Sequence, residues 1–190
     1  MSASPTLVRT VCWRRLDVPG HESVRLLRTI DGWRLEGSVA LRHDGDAVAL
    51  RHTVDCDAAW RTRAGTVQGR IGARDVELAL ARDADDRWTL NGVRCPAVDG
   101  CVDVDYGFSP STNLLPIRRL ALAVGEAGPV RTAWLRFPEL TLEVLSQTYT
   151  RTAERTWAFA SGGGAFRATL DVDAHGLVTR YGDRWVAEDA

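Results

Sequence analysis

A chain of 190 residues is long enough for one domain with its own core, and 45% apolar against 26% charged residues is a globular composition, not a disordered one. The formal net charge of −1, with no basic block, excludes general binding along a nucleic-acid backbone. All 24 basic residues are Arg, which excludes Schiff-base, pyridoxal-phosphate and phosphate-loop lysine chemistry.

The first twenty residues carry Arg9, Arg14 and Arg15 and lack the apolar stretch of a secretory signal. No later run reaches the length of a membrane span, so a cytoplasmic protein is expected. From Trp33 onward the dominant pattern is period-two alternation, the mark of half-buried strands. Trp33, Leu35, Gly37, Val39 and Leu41 share one face. Val48, Leu50, His52 and Val54 share another, then Val76, Leu78 and Leu80. The segment Ser109-Pro110-Ser111-Thr112-Asn113-Leu114-Leu115-Pro116 breaks the alternation. It predicts one short helix, with Ser109 as N-cap, Pro110 in the first turn, and Leu114 and Leu115 facing the core. Pro116 is expected to limit that helix, and Ile117 to Val124 reads as a strand. Leu140, Leu142 and Val144 open a long run towards Tyr149, and Phe166, Ala168, Leu170 and Val172 form a late strand.

Turn signals separate these runs: Asp31-Gly32, Asp44-Gly45, Asn91-Gly92, Asp99-Gly100, Gly128-Pro129 and Gly182-Asp183, with Gly162-Gly163-Gly164 as a further hairpin loop. The count is about a dozen strands, mostly antiparallel neighbours. So many twisted strands must curl, close or split into layers, and a curled sheet needs a filling. Residues 1–190 therefore read as a single, mainly β domain curled around one short helix.

Asp103 and Asp105 lie two apart on a predicted strand and point to one face, about 7 Å apart. On a cavity wall their like charges would separate their pKa values into an acid and a base. Alternatively they pair with Arg118 and Arg119, whose forks fit carboxylates. Asn113 lies between apolar neighbours, either capping a turn or touching a ligand. Gln147 and Tyr149 share a strand face with Leu145 and offer an amide and a hydroxyl to a sugar, or form an ordinary cross-strand pair. His52, on an apolar face, reads as a core histidine, and His21-Glu22 as a loop site of either catalytic or no special role. Cys12, Cys56, Cys95 and Cys101 are too scattered for a zinc site or disulfide framework and read as free thiols. No cofactor, metal or catalytic motif is recognised.

The run Gly100-Cys101-Val102-Asp103-Val104-Asp105, the string Ser109-Pro110-Ser111-Thr112-Asn113-Leu114-Leu115-Pro116-Ile117-Arg118-Arg119-Leu120, Phe137-Pro138, Gln147-Thr148-Tyr149, and Asp171-Val172-Asp173-Ala174-His175-Gly176-Leu177-Val178 with Tyr181 and Trp185 resemble the bacterial "putative glycolipid-binding" family, formerly a domain of unknown function. The resemblance runs from about Trp13 to Trp185. It implies a spiral β-roll around one helix, a homodimer, and the binding of glycolipid or another amphipathic small molecule. With that reading, Asp103, Asp105, Asn113, Arg118, Arg119, Gln147 and Tyr149 are the candidate ligand-binding residues. The alternatives are an enzyme acting on a small polar substrate through Asp103/Asp105 or His21/Glu22, and a dimeric structural protein without a ligand.

Overall fold

The computed structural model describes residues 4–188. The alternating runs become β1 (Thr6–Arg15), β2 (Gly20–Arg28), β3 (Gly32–His43), β4 (Asp46–Asp57), β5 (Thr62–Ile71) and β6 (Arg74–Arg82). The short β7 (Trp88–Leu90), β8 (Val93–Arg94) and β9 (Asp103–Tyr106) follow, then the helix α1 (Leu114–Leu120). The chain ends with β10 (Ala127–Leu135), β11 (Leu142–Ala153), β12 (Thr156–Ser161), β13 (Phe166–Val172), β14 (Val178–Tyr181) and β15 (Trp185–Ala187).

All fifteen strands belong to one sheet, in the order β8-β7-β6-β5-β4-β3-β2-β1-β15-β14-β13-β12-β11-β10-β9. The sheet is curled but not closed. Its first and last strands in sequence, β1 and β15, pair in the middle. Its two edges, β8 and β9, are therefore close in sequence. Every neighbouring pair is antiparallel except β9 and β10. A parallel pair needs a long crossover, and α1 lies on that crossover.

Local chemistry sets the turns. Asp44-Gly45 and Asn91-Gly92 both take two successive positive φ values, the type I′ pattern that matches strand twist. Three hairpin aspartates repeat one device. Asp57 Oδ1 accepts from the amides of Ala59 and Arg61, Asp83 Oδ1 from Asp85 and Arg87, and Asp173 Oδ1 from His175 and Leu177.

The roll is filled from both sides. Leu114 and Leu115 are fully buried against the core of β1–β6, β9 and β10, as the sequence predicts. Each side chain contributes about 1.5–3 kcal/mol by leaving water. Ile117 faces the second core, with Tyr149, Trp157, Phe159 and Leu170. Strand β9 sits between: Val104 and Tyr106 enter the first core, and Asp103 is also fully buried. The Tyr106 hydroxyl donates to the Thr53 carbonyl at 2.9 Å, in a space that exists because residue 65 is Gly.

Four expectations are corrected. The helix does not start at Ser109: Ser111–Asn113 form a 3-10 turn, and α1 begins at Leu114. Pro116 does not stop it, because it is the third residue of α1, where a missing N–H costs no intrahelical bond. Ile117–Leu120 is therefore helix and not strand, and Ala121 ends it with φ +48°. Gly128-Pro129 lies inside β10, with Pro129 on its exposed face.

Candidate functional site

Two adjacent polar networks sit between α1, β9 and β11. In the first, Asp103 receives Arg119. Arg119 Nε lies 3.0 and 3.1 Å from the two carboxylate oxygens, and Nη2 lies 2.6 Å from Oδ2. Burial pushes the Asp103 carboxyl upward, and the Arg119 guanidinium opposes that shift. The fork ties the last turn of α1 to the inner edge of the sheet, where a cation also suits the helix dipole.

In the second network, Gln147 Nε2 donates to Asp105 Oδ2 at 2.5 Å, and Thr112 Oγ1 donates to Oδ1 at 3.4 Å. The Tyr149 hydroxyl lies 2.9 Å from Asn113 Oδ1 and 3.2 Å from Gln147 Oε1. Asn113 Nδ2 donates to the Pro110 carbonyl at 3.0 Å. No cation pairs with Asp105 among the described residues, and burial raises its carboxyl to about 6. Burial also pushes the Tyr149 phenol well above its usual range.

Six of the seven candidates thus form two hydrogen-bonded groups: Asp103 with Arg119, and Asp105, Gln147 and Tyr149, with Asn113 joined through Tyr149. Arg118 stands apart. The expected pairing of both arginines with both aspartates is not observed, since successive residues of a helix point about 100° apart. Arg118 instead lies over the Trp60 ring at 5.3 Å. Trp60 stacks on Trp33 at 4.4 Å, and Arg28 lies over Trp33 at 4.5 Å.

Asp105 also lines a cavity of about 280 Å³. Trp134, Phe159, Phe166, Tyr181 and Trp185 supply aromatic walls. Ser109, Asn113 and Ser161 add polar groups, and Arg15 and Arg184 line it too. Gly107 and Arg184 are exposed, so the cavity reaches the surface there. Pockets for small molecules span about 300–1,000 Å³, so this one matches a single small headgroup.

Beneath the cavity lies a cluster that sequence reading missed. Ser109 Oγ donates to Glu22 Oε1 at 2.6 Å, and His52 Nε2 lies 2.7 Å from that same oxygen. Both Glu22 and His52 side chains are fully buried. His21 and Glu22 do not form a joint site: they are neighbours on β2, so His21 faces out, 3.4 Å from Glu188, while Glu22 faces in. The available signal was Gly37. An added Cβ there would lie 2.2 Å from His52 Nε2, so the glycine makes room for the imidazole.

Residues 10–187 match the model of the family described as "Putative glycolipid-binding". The chain belongs to that family. A crystal structure of a DUF1089 family protein from Pseudomonas aeruginosa is similar, with 32% sequence identity, a TM-score of 0.77, and coverage of 85% of this chain and 88% of that one. No curated protein matches. The family's name describes binding, and Asp105, Asn113, Gln147 and Tyr149 belong to motifs by which the sequence resembles it. Cys56, Cys95 and Cys101 are free thiols, and no group of metal-ligating side chains occurs among the described residues. Among the described residues, no helix is long and apolar enough to cross a membrane.

Proposed function

We propose that this member of the family binds the sugar headgroup of an amphipathic molecule, such as a glycolipid, in the cavity beside Asp105. One observation carries the reading: a carboxylate without a cationic partner lies on the wall of an aromatic-lined cavity that reaches the surface. Aromatic faces stack on sugar rings, and a carboxylate accepts from sugar hydroxyls. Gln147 and Thr112 hold Asp105 in place, and Asn113 and Ser161 offer further polar contacts. The size of the cavity leaves the lipid tail outside. Asp103 and Arg119 act behind this site by fixing α1, and Arg118 acts outside it. The homodimer and the cytoplasmic location belong to the same reading.

Octyl glucoside, kept below its micelle concentration, tests the proposal, because Trp134 and Trp185 line the cavity and report by fluorescence. The expected result is a saturable change whose midpoint rises at least tenfold in Asp105→Ala. A linear response, or equal midpoints in both proteins, would overturn it.

A second reading has its own support. A carboxyl raised to about 6 at a cavity wall is suited to general acid-base catalysis near neutral pH. Release of free sugar from an added glycoside, abolished in Asp105→Asn, would favour an enzyme; no release would exclude that glycoside as a substrate.

A further inference from the structure

The outer face of β2–β5 carries a second concavity, remote from Asp105 and larger, at about 770 Å³. Strand register explains its shape. One row across the sheet reads His21, Ala40, Ala49, Arg70, Asp75. The adjacent row reads Cys12, Ser23, Ser38, Arg51, Gln68. The small side chains of β2–β4 form a floor between longer ones, and Ala40 and Ala49 make part of it apolar. Three strand spacings make the trough about 14 Å across.

Two arginines on its walls have no bonded carboxylate among the described residues. Elsewhere on the outer face arginines meet carboxylates: Arg34 bonds Asp55 at 2.5 Å, and Arg25 bonds Glu36. Arg51 and Arg70 have no hydrogen bond or ion pair with any described side chain. Asp75, in register with Arg70, is the lining carboxylate on the outer face, since Glu22 turns its side chain inward; Glu77, in register with Gln68, stands on the same face at the margin. His21 is held by Glu188 at 3.4 Å. The hydroxyls of Ser23 and Ser38 stand between these groups.

We propose that this trough binds a single-chain amphiphile with an anionic headgroup, the anion on Arg51 and Arg70 and the alkyl chain on the alanine floor. The occupant follows from charge complementarity above an apolar surface: a guanidinium pair selects phosphate or carboxylate, and the floor selects a hydrocarbon. This site is separate from the cavity at Asp105 and does not depend on what that cavity binds.

Calorimetric titration with decyl phosphate, below its micelle concentration, tests the site. One molecule should bind per chain, at least tenfold more weakly to the Arg51→Gln/Arg70→Gln variant and to Ala49→Leu, which narrows the floor but keeps both charges. Saturating octyl glucoside should leave the affinity unchanged. Equal affinity in wild type and the arginine variant would overturn the proposal, as would equally tight binding of uncharged decyl maltoside. Inorganic phosphate binding as tightly as decyl phosphate would show a simple anion site and overturn the amphiphile assignment. Competition by octyl glucoside would place the decyl phosphate in the other cavity and also overturn it.

Discussion

Replacing Arg119 by Met is expected to destabilise the protein by about 3–5 kcal/mol at pH 7, the cost of leaving a buried charge without its partner. Asp103 is fully buried, and Arg119 supplies all of its side-chain hydrogen bonds. Methionine keeps most of the stem but removes the fork. The carboxylate then lies in a dry site with only the more distant charges of Arg82 and Arg61 to offset its burial, and burial, now unopposed by Arg119, pushes its pKa further up. A carboxyl raised in the folded state binds its proton more tightly there than when unfolded, so stability falls as pH rises. The deficit should therefore shrink as the pH falls and Asp103 takes up its proton. The double variant Asp103→Asn/Arg119→Met should recover part of the loss, because no charge remains. Urea unfolding of the three variants measures this. A loss below about 1 kcal/mol in Arg119→Met, the level of an exposed pair, would show that the fork does not hold α1.

Asp105 produces the second large effect. Its carboxyl is raised from 3.8 to about 6 by burial, against the hydrogen bonds of Gln147 and Thr112. Between these two values the folded protein holds a proton that the unfolded chain has released. Stability from this group is thus greatest below about pH 4, falls between pH 4 and 6, and stays low above that. The rise in proton affinity corresponds to about 3 kcal/mol. Asp105→Asn cannot ionise, so it should gain about 2–3 kcal/mol relative to wild type on going from pH 4 to pH 7. Parallel stability profiles for the two proteins would contradict the assignment. The same ionisation matters for binding: above pH 6 the carboxylate accepts from ligand hydroxyls, and below it the acid donates.

Much of the fold can be read from the chain because the long strands β2 to β4 follow the two-residue period and each tight turn needs particular residues. Asp44-Gly45 and Asn91-Gly92 are such cases, and both adopt the turn their chemistry requires. The end of α1 was harder to read. Pro116 looks like a stop in sequence, yet a proline in the first turn loses nothing, and only the start of the helix at Leu114 shows that it is there. Asp105, Gln147 and Tyr149 were legible as individual polar residues on inward faces. Their meeting was not, since β9 and β11 both pair with β10 and reach each other only through the curl of the sheet. Glu22, paired with His21 in the sequence reading, has a different partner for a related reason. Its neighbour His21 faces solvent, and its actual partner, His52, lies two strands away across Gly37.

The cavity beside Asp105 is the proposed seat of binding, and native mass spectrometry of the protein purified from its own source tests it most directly. The spectrum also gives the mass of the assembly and so checks the homodimer. The expected spectrum shows an added mass of one sugar-bearing amphipathic molecule per chain in wild type, absent from Asp105→Ala prepared in the same way. A ligand-free wild-type chain under mild conditions, or the same added mass in both proteins, would contradict binding at Asp105.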